Sequence, residues 1–435
     1  MTEIRKPAIG STHFWLGLVA CVVTTSSASA QHTAHTAGSQ RLDTLATAPT
    51  TPSRATADSA MIADSLLKVC RPHVAHSLDA YSACIGDGIG ALSSSGNIAL
   101  AMATLDRLVH LDSTLVRLAH PLAHALGYAV RSTPATATRL LSQCDDRYQS
   151  GCYHGILQRY FDARIGRPIA QSVLVAPCDG LRGTAEQFRL FDCLHGTGHG
   201  LMMYHRYDLN ASLKDCDRLA ADWEQWSCYG GVFMEHNMGV HMQALGDGVF
   251  GMHQHTTPGP TVVLFKPDDL QYPCNATPAR YRVACYELQT DLILPAVKQD
   301  YRKASAACDA ASDTSWVRAC YHGLGRNASG SALFDYEGIK KRCSLASPAG
   351  MPFCYEGAVR HLAYAPSELP RGVAFCKSLP EGESRVRCWH GVGLQVNGFF
   401  ADRASRQRAC QSEIVSDVAA CAQSAGIVQS SSLRR

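Results

Sequence analysis

A cadence of paired cysteines constrains this chain more than any other feature. In Cys308–Gly323, CDAASDTSWVRACYHG, two cysteines stand twelve residues apart and the second is followed by Tyr321, His322 and Gly323. The pattern returns at Cys343/Cys354 and Cys376/Cys388, and upstream at Cys144/Cys152, Cys178/Cys193 and Cys216/Cys228. Cys274/Cys285 and Cys410/Cys421 keep the pair without the His-Gly. From Cys285 onward the second cysteines fall at 285, 320, 354, 388 and 421, a period of 33 to 35 residues. A period of that length in helical text means a two-helix unit stacked on copies of itself. The expected fold is therefore all-α: two-helix repeats of about 34 residues, stapled by local disulfides, in an open solenoid or a closed toroid.

The chain has 19 cysteines, and with Cys21 set aside in the N-terminal apolar stretch the remaining 18 pair by order. The pairs are 70/84, 144/152, 178/193, 216/228, 274/285, 308/320, 343/354, 376/388 and 410/421. Neither CxxC nor CxxCH occurs, which argues against cysteine zinc sites, iron–sulfur clusters and c-type haem. Nine local disulfides imply an oxidising compartment, and each would contribute roughly 3 kcal/mol in the chain-entropy model. Residues 1–30 agree with export. Arg5 and Lys6 precede the apolar Phe14–Val23, and the segment ends in Ala-Ser-Ala before Gln31. This reads as a cleaved signal, giving a secreted or periplasmic protein. The alternative is a cell-surface lipoprotein, because Leu18-Val19-Ala20-Cys21 resembles a lipoprotein cleavage box that would place a lipid anchor on Cys21. No later stretch reads as a transmembrane segment. The formal charge of +3 offers no field for gathering nucleic acid.

The signal is followed by a flexible leader, 31–57, rich in Thr, Ser, Ala, Gln and Pro. A helical region, 58–143, comes next, with helices expected at Ala99–His110 and Ser113–Val130 and a break at Gly86, Gly88 and Gly90. The stapled repeat domain spans 144–427, and 428–435 is a disordered tail. In each repeat one helix ends near the first cysteine and the next carries the second cysteine in its opening turn. Gly155, Gly196, Gly231, Gly323, Gly357 and Gly391 all sit three past a cysteine, where close helix approach would exclude a side chain. One departure, 239–273, inserts Gly- and Pro-rich text with Thr261–Phe265 as a short strand; long insertions of this kind tend to be functional.

The densest set of candidate ligands lies beside that insertion. It comprises His195 and His199 at i, i+4, then Met234, Glu235 and His236, then His253 and His255. Two histidines one turn apart supply half of a metal site. Imidazole with thioether would suit copper, and imidazole with carboxylate would suit zinc. His199 and Met234 hold the same register after their cysteines, so stacking would bring them together. His120 and His124 form a second candidate pair. A further pattern is the column two past each cysteine: His154, His195, Gly230, Glu287, His322, Glu356 and His390. At the usual helix spacing of about 10 Å these would line a groove; in a closed toroid His154, His322, Glu356 and His390 would converge as acid–base candidates. The bland reading is that this residue bonds across the turn in every unit. HExxH, GxSxG, the Walker sequence and the dinucleotide fingerprint are all absent.

The stapled 34-residue period resembles the tetratricopeptide-like and Sel1-like repeats of secreted cysteine-rich proteins, with Cys-[Tyr/Trp]-His-Gly in place of their Leu-Gly and Ala signatures. That resemblance implies partner binding. The expected function is an exported helical-repeat binding protein with a transition metal, copper or zinc, at the His/Met/Glu cluster. The alternatives are an exported enzyme with a His/Glu funnel, or a structural scaffold; the protein, peptide or small-molecule partner is not specified by the residues.

Overall fold

Four repeats open with the same local chemistry, and that chemistry sets where their first helices begin. The aspartates Asp208, Asp300, Asp335 and Asp402 cap the first helices, accepting from Ala211, Arg302, Gly338 and Ser405 backbone N–H groups at 2.7–3.0 Å. Three of these caps follow a pair of left-handed residues, Arg206/Tyr207, Lys298/Gln299 and Leu333/Phe334, which end the preceding helix and reverse the chain.

The computed structural model describes residues 54–183, 187–245, 264–411 and 415–427. They form nineteen α-helices: α1 (Arg54–Cys70), α2 (Leu78–Ser94), α3 (Ile98–Leu111), α4 (Ala119–Tyr128), α5 (Ala137–Leu141), α6 (Gly151–Asp162), α7 (Gln171–Asp179), α8 (Gln187–Tyr204), α9 (Leu209–Cys216), α10 (Asp222–Leu245), α11 (Arg282–Ala296), α12 (Tyr301–Asp309), α13 (Thr314–Ser331), α14 (Tyr336–Cys343), α15 (Met351–Leu362), α16 (Leu369–Lys377), α17 (Glu383–Phe399), α18 (Arg403–Ala409) and α19 (Val415–Ser424). No strand occurs among the described residues. The expected signal, the expected leader to residue 53, the expected tail, and most of the strand expected at Thr261–Phe265 lie outside them.

The longer helices α4, α6, α8, α10, α11, α13, α15, α17 and α19 form one row, each packed on the next, and the short helices flank their own partners. All nine cystines join the cysteines in the expected order, with Cα–Cα separations of 5.4–5.7 Å. Late repeats also meet early ones. Phe188 of α8 packs edge-on against Phe399 of α17 at 5.2 Å, Tyr364 donates its hydroxyl to Asp192 at 2.8 Å, and Gln149 pairs with His361.

The repeat glycines mark where the row closes up. A Cβ on Gly155 would collide with the carbonyl oxygen of His124, on Gly231 with that of His195, and on Gly357 with that of His322. Three expectations change. The single helix expected at Ser113–Val130 is a 3-10 turn, Ser113–Arg117, followed by α4. Gly86, Gly88 and Gly90 do not break the chain but lie inside α2, facing Leu122 and Ala125, Leu66, and Ala129; packing against these neighbours outweighs their poor helix propensity. Likewise α10 runs into the insertion as far as Leu245, since Gly239 fits against Tyr207 and Leu264 where a Cβ would come within 2.7–2.9 Å.

Candidate metal centre

Five histidines from three adjacent helices meet at the start of the row. α4 supplies His120 and His124, α6 supplies His154, and α8 supplies His195 and His199. Their ring centroids lie 4.6 Å (120–124), 4.9 Å (124–154), 5.1 Å (154–195), 4.8 Å (154–199) and 5.1 Å (195–199) apart. The glycine contacts that bring α4 and α6 together make this crowding available. His124, His154 and His199 are buried, while His120 and His195 are partly exposed.

The hydrogen bonds decide where each proton sits. His120 Nδ1 lies 2.6 Å from the carbonyl oxygen of Tyr148, which can only accept, so Nδ1 carries the hydrogen and Nε2 a lone pair. Glu235 does the same for His199, accepting from Nδ1 at 2.9 Å. For His124 the partner is Gln158 Oε1 at 3.1 Å. The orientation of that amide follows from its other end, where Gln158 Nε2 donates to Glu235 Oε2 at 2.8 Å. Glu235 is completed by the Tyr207 hydroxyl, 3.0 Å from Oε1.

One consequence is chemical. His120 Nε2 and His124 Nε2 face each other at 3.1 Å, and His154 Nδ1 lies 3.1 Å from the same His124 nitrogen. Two neutral imidazoles with these tautomers present lone pair to lone pair, which is repulsive unless a cation sits between them. The edge of a tetrahedron of nitrogens around an ion at 2.0–2.1 Å is about 3.3 Å, close to both separations. Burial opposes the other remedy, a buried imidazolium. It lowers His120 to about 4 and holds His154 and His195 well below the ordinary histidine range, with the neighbouring rings adding to the effect. Neutral imidazole is the form that binds metals.

Two trios, His120/His124/His154 and His154/His195/His199, each bring one nitrogen per residue within 4.8 Å of the others, and either could hold a metal ion. His154 Nε2 and His199 Nε2 are buried with no hydrogen-bond partner. The acceptor for His120 is itself fixed at some cost. Tyr148, Gln149 and Ser150 are three consecutive left-handed residues, with φ of 55°, 53° and 58°, a conformation unfavourable by about 1–2 kcal/mol per residue.

The structure sorts the sequence candidates. His195 and His199 join the cluster, and so do His120, His124 and His154, which the sequence placed in separate patterns. Glu235 stands behind His199 with both oxygens engaged, in the manner of a carboxylate that orients a metal-binding histidine. Met234 is partly buried and packs against the hydrophobic core. His236 is buried beside Asn237, its Nδ1 3.2 Å from Oδ1, and burial lowers it to about 4. His253 and His255 lie outside the described residues.

The downstream column forms a second network. His322 Nε2 and His390 Nδ1 approach Glu356 Oε1 at 3.4 and 3.1 Å, and Arg360 bridges Glu287, at 2.5 Å, to His322. Burial raises the pKa of Glu356 but the two histidines outweigh it, so the carboxyl is held well below its usual range. Column neighbours therefore touch, contrary to the 10 Å spacing, because the glycines beside them let the helices approach more closely. His154 belongs to the first network and the other three to this one.

A sequence signal for His124 existed. His124-Ala-Leu-Gly127 repeats the spacing of His195-Gly-Thr-Gly198, His322-Gly-Leu-Gly325 and His390-Gly-Val-Gly393. All four glycines abut the carbonyl oxygen of the next unit's second cysteine. Leu122 stands where the cysteine of this cadence would be, which hid the unit. No family model, curated protein or solved structure matches this chain.

Proposed function

We propose that this is an exported metal-binding protein whose ligands are His120, His124, His154, His195 and His199, held in place by Tyr148, Gln158 and Glu235. The observation that carries it is the pair of lone-pair nitrogens, His120 Nε2 and His124 Nε2, at 3.1 Å with their opposite nitrogens already committed to oxygen acceptors. The donor set selects the metal class. The 18 cysteines of the described residues are consumed in disulfides, and both trios are built of histidine alone, so imidazole nitrogen is the donor they offer. Nitrogen ligands of this kind suit zinc(II) and copper(II) rather than copper(I) or calcium. Export is supported by the nine cystines and by the signal-like residues 1–30.

The test is metal analysis of protein purified from an oxidising compartment and reloaded with zinc. The expected result is stoichiometric metal that His124→Gln and His199→Gln each reduce. Less than a tenth of an equivalent after reloading would overturn the reading.

A second reading, a metal-assisted hydrolase, draws on the three-histidine composition of each trio, which leaves further coordination positions open. Ester or phosphoester turnover that is lost on chelation and restored by zinc would select it over simple binding.

A further inference from the structure

His154 belongs to both trios, and its two nitrogens are placed differently. Nδ1 lies 3.1 Å from His124 Nε2, within the first trio. Nε2 is buried without a hydrogen-bond partner, as is His199 Nε2. The His154 and His199 rings stack 4.8 Å apart at 21°, and the His195 ring is 5.1 Å from each. One nitrogen lone pair cannot serve two ions, whereas the opposite nitrogens of one ring can.

We propose that the five histidines hold two divalent metal ions bridged by His154. One ion lies among His120, His124 and His154 Nδ1, the other among His154 Nε2, His195 and His199. This rests on the reading of the cluster as a metal site and adds its stoichiometry and internal connection. The proton balance is explicit. Neutral His154 carries one ring hydrogen, and the first ion takes the bare nitrogen. When the second metal–nitrogen bond forms, the remaining N–H bond breaks, the ring becomes imidazolate, and one proton passes to the buffer. Glu235, accepting from His199 and Gln158, places negative charge behind both halves of the pair. Three imidazoles on each ion leave positions for water or a bridging anion.

Copper(II) titration of the metal-free full chain tests this, with the same titration of the His124→Gln/His199→Gln double variant subtracted to remove surface sites. The expected result is two equivalents per chain, one proton released with the second, and a paramagnetic resonance signal that falls as the second ion binds because the two spins couple through the ring. His120→Gln, a change at a partly exposed ring, is expected to retain one equivalent with a full, uncoupled signal. Saturation at one equivalent, or two equivalents with additive spectra, would overturn the bridge while leaving the metal site standing. No binding above the subtracted background would remove the site itself.

Discussion

At the scale of single residues, the centre depends on groups that never reach the metal position. Glu235 fixes the tautomer of His199 directly and that of His124 through Gln158. Glu235→Gln is expected to weaken zinc binding about 10–100-fold, as loss of such orienting partners does elsewhere. Chelator competition would measure the change, with the folded state checked by circular dichroism. Histidines outside the cluster give the fold an acid limit. Burial lowers His236 to about 4, against an unfolded value of about 6.5. Its folded pKa is depressed, so the unfolded chain binds the proton more readily below about pH 6.5. The stability it represents is fully present above that pH and is lost as pH falls toward 4, by up to about 3 kcal/mol. Urea unfolding of the metal-free protein should therefore weaken between pH 6.5 and 4, and His236→Gln should flatten that slope. The sequence displayed His195 and His199 as a pair because their spacing is local. It could not show that Glu235 meets His199, because a one-residue difference in helix register turns a side chain by about 100°.

At the scale of elements, the glycines set how closely neighbouring helices lie. Gly155→Ala would drive a methyl group into the His124 carbonyl and part α4 from α6. The expected cost is about 1–3 kcal/mol, as for other overpacked cores, accompanied by weaker metal binding. Gly398→Ala in α17 is the control. Its Cβ meets nothing within 4 Å, and the change should be neutral or stabilising by up to about 1 kcal/mol. Thermal melts of the two variants should shift in opposite directions. Periodicity made these glycines legible in the sequence, and their role in close approach was readable too. The length of α2 was not, since Gly86, Gly88 and Gly90 act as breakers only when no neighbouring helix needs the space.

At the scale of the whole molecule, the row of helices is held by local cystines and by the return of late repeats onto early ones. Replacing Cys308 and Cys320 together with alanine opens a staple of sequence separation 12. It should cost about 2–4 kcal/mol by denaturant unfolding. The cysteine order revealed the staples because each is local, and the fold class followed from their period. The contacts from Phe188 to Phe399 and from Asp192 to Tyr364 join residues roughly two hundred positions apart, and no pattern in the text announces them. For α4 the His124-to-Gly127 spacing was the one sign of membership in the row, and Leu122 in place of the cysteine concealed it.

X-ray absorption at the zinc edge of the reloaded protein probes the central claim most directly, because it reports the atoms around the ion. An imidazole cluster should give a nitrogen and oxygen shell at 2.0–2.1 Å with the multiple scattering of histidine rings and no sulfur. A sulfur shell near 2.3 Å, or a spectrum unchanged by replacing His124 and His199 together, would contradict it.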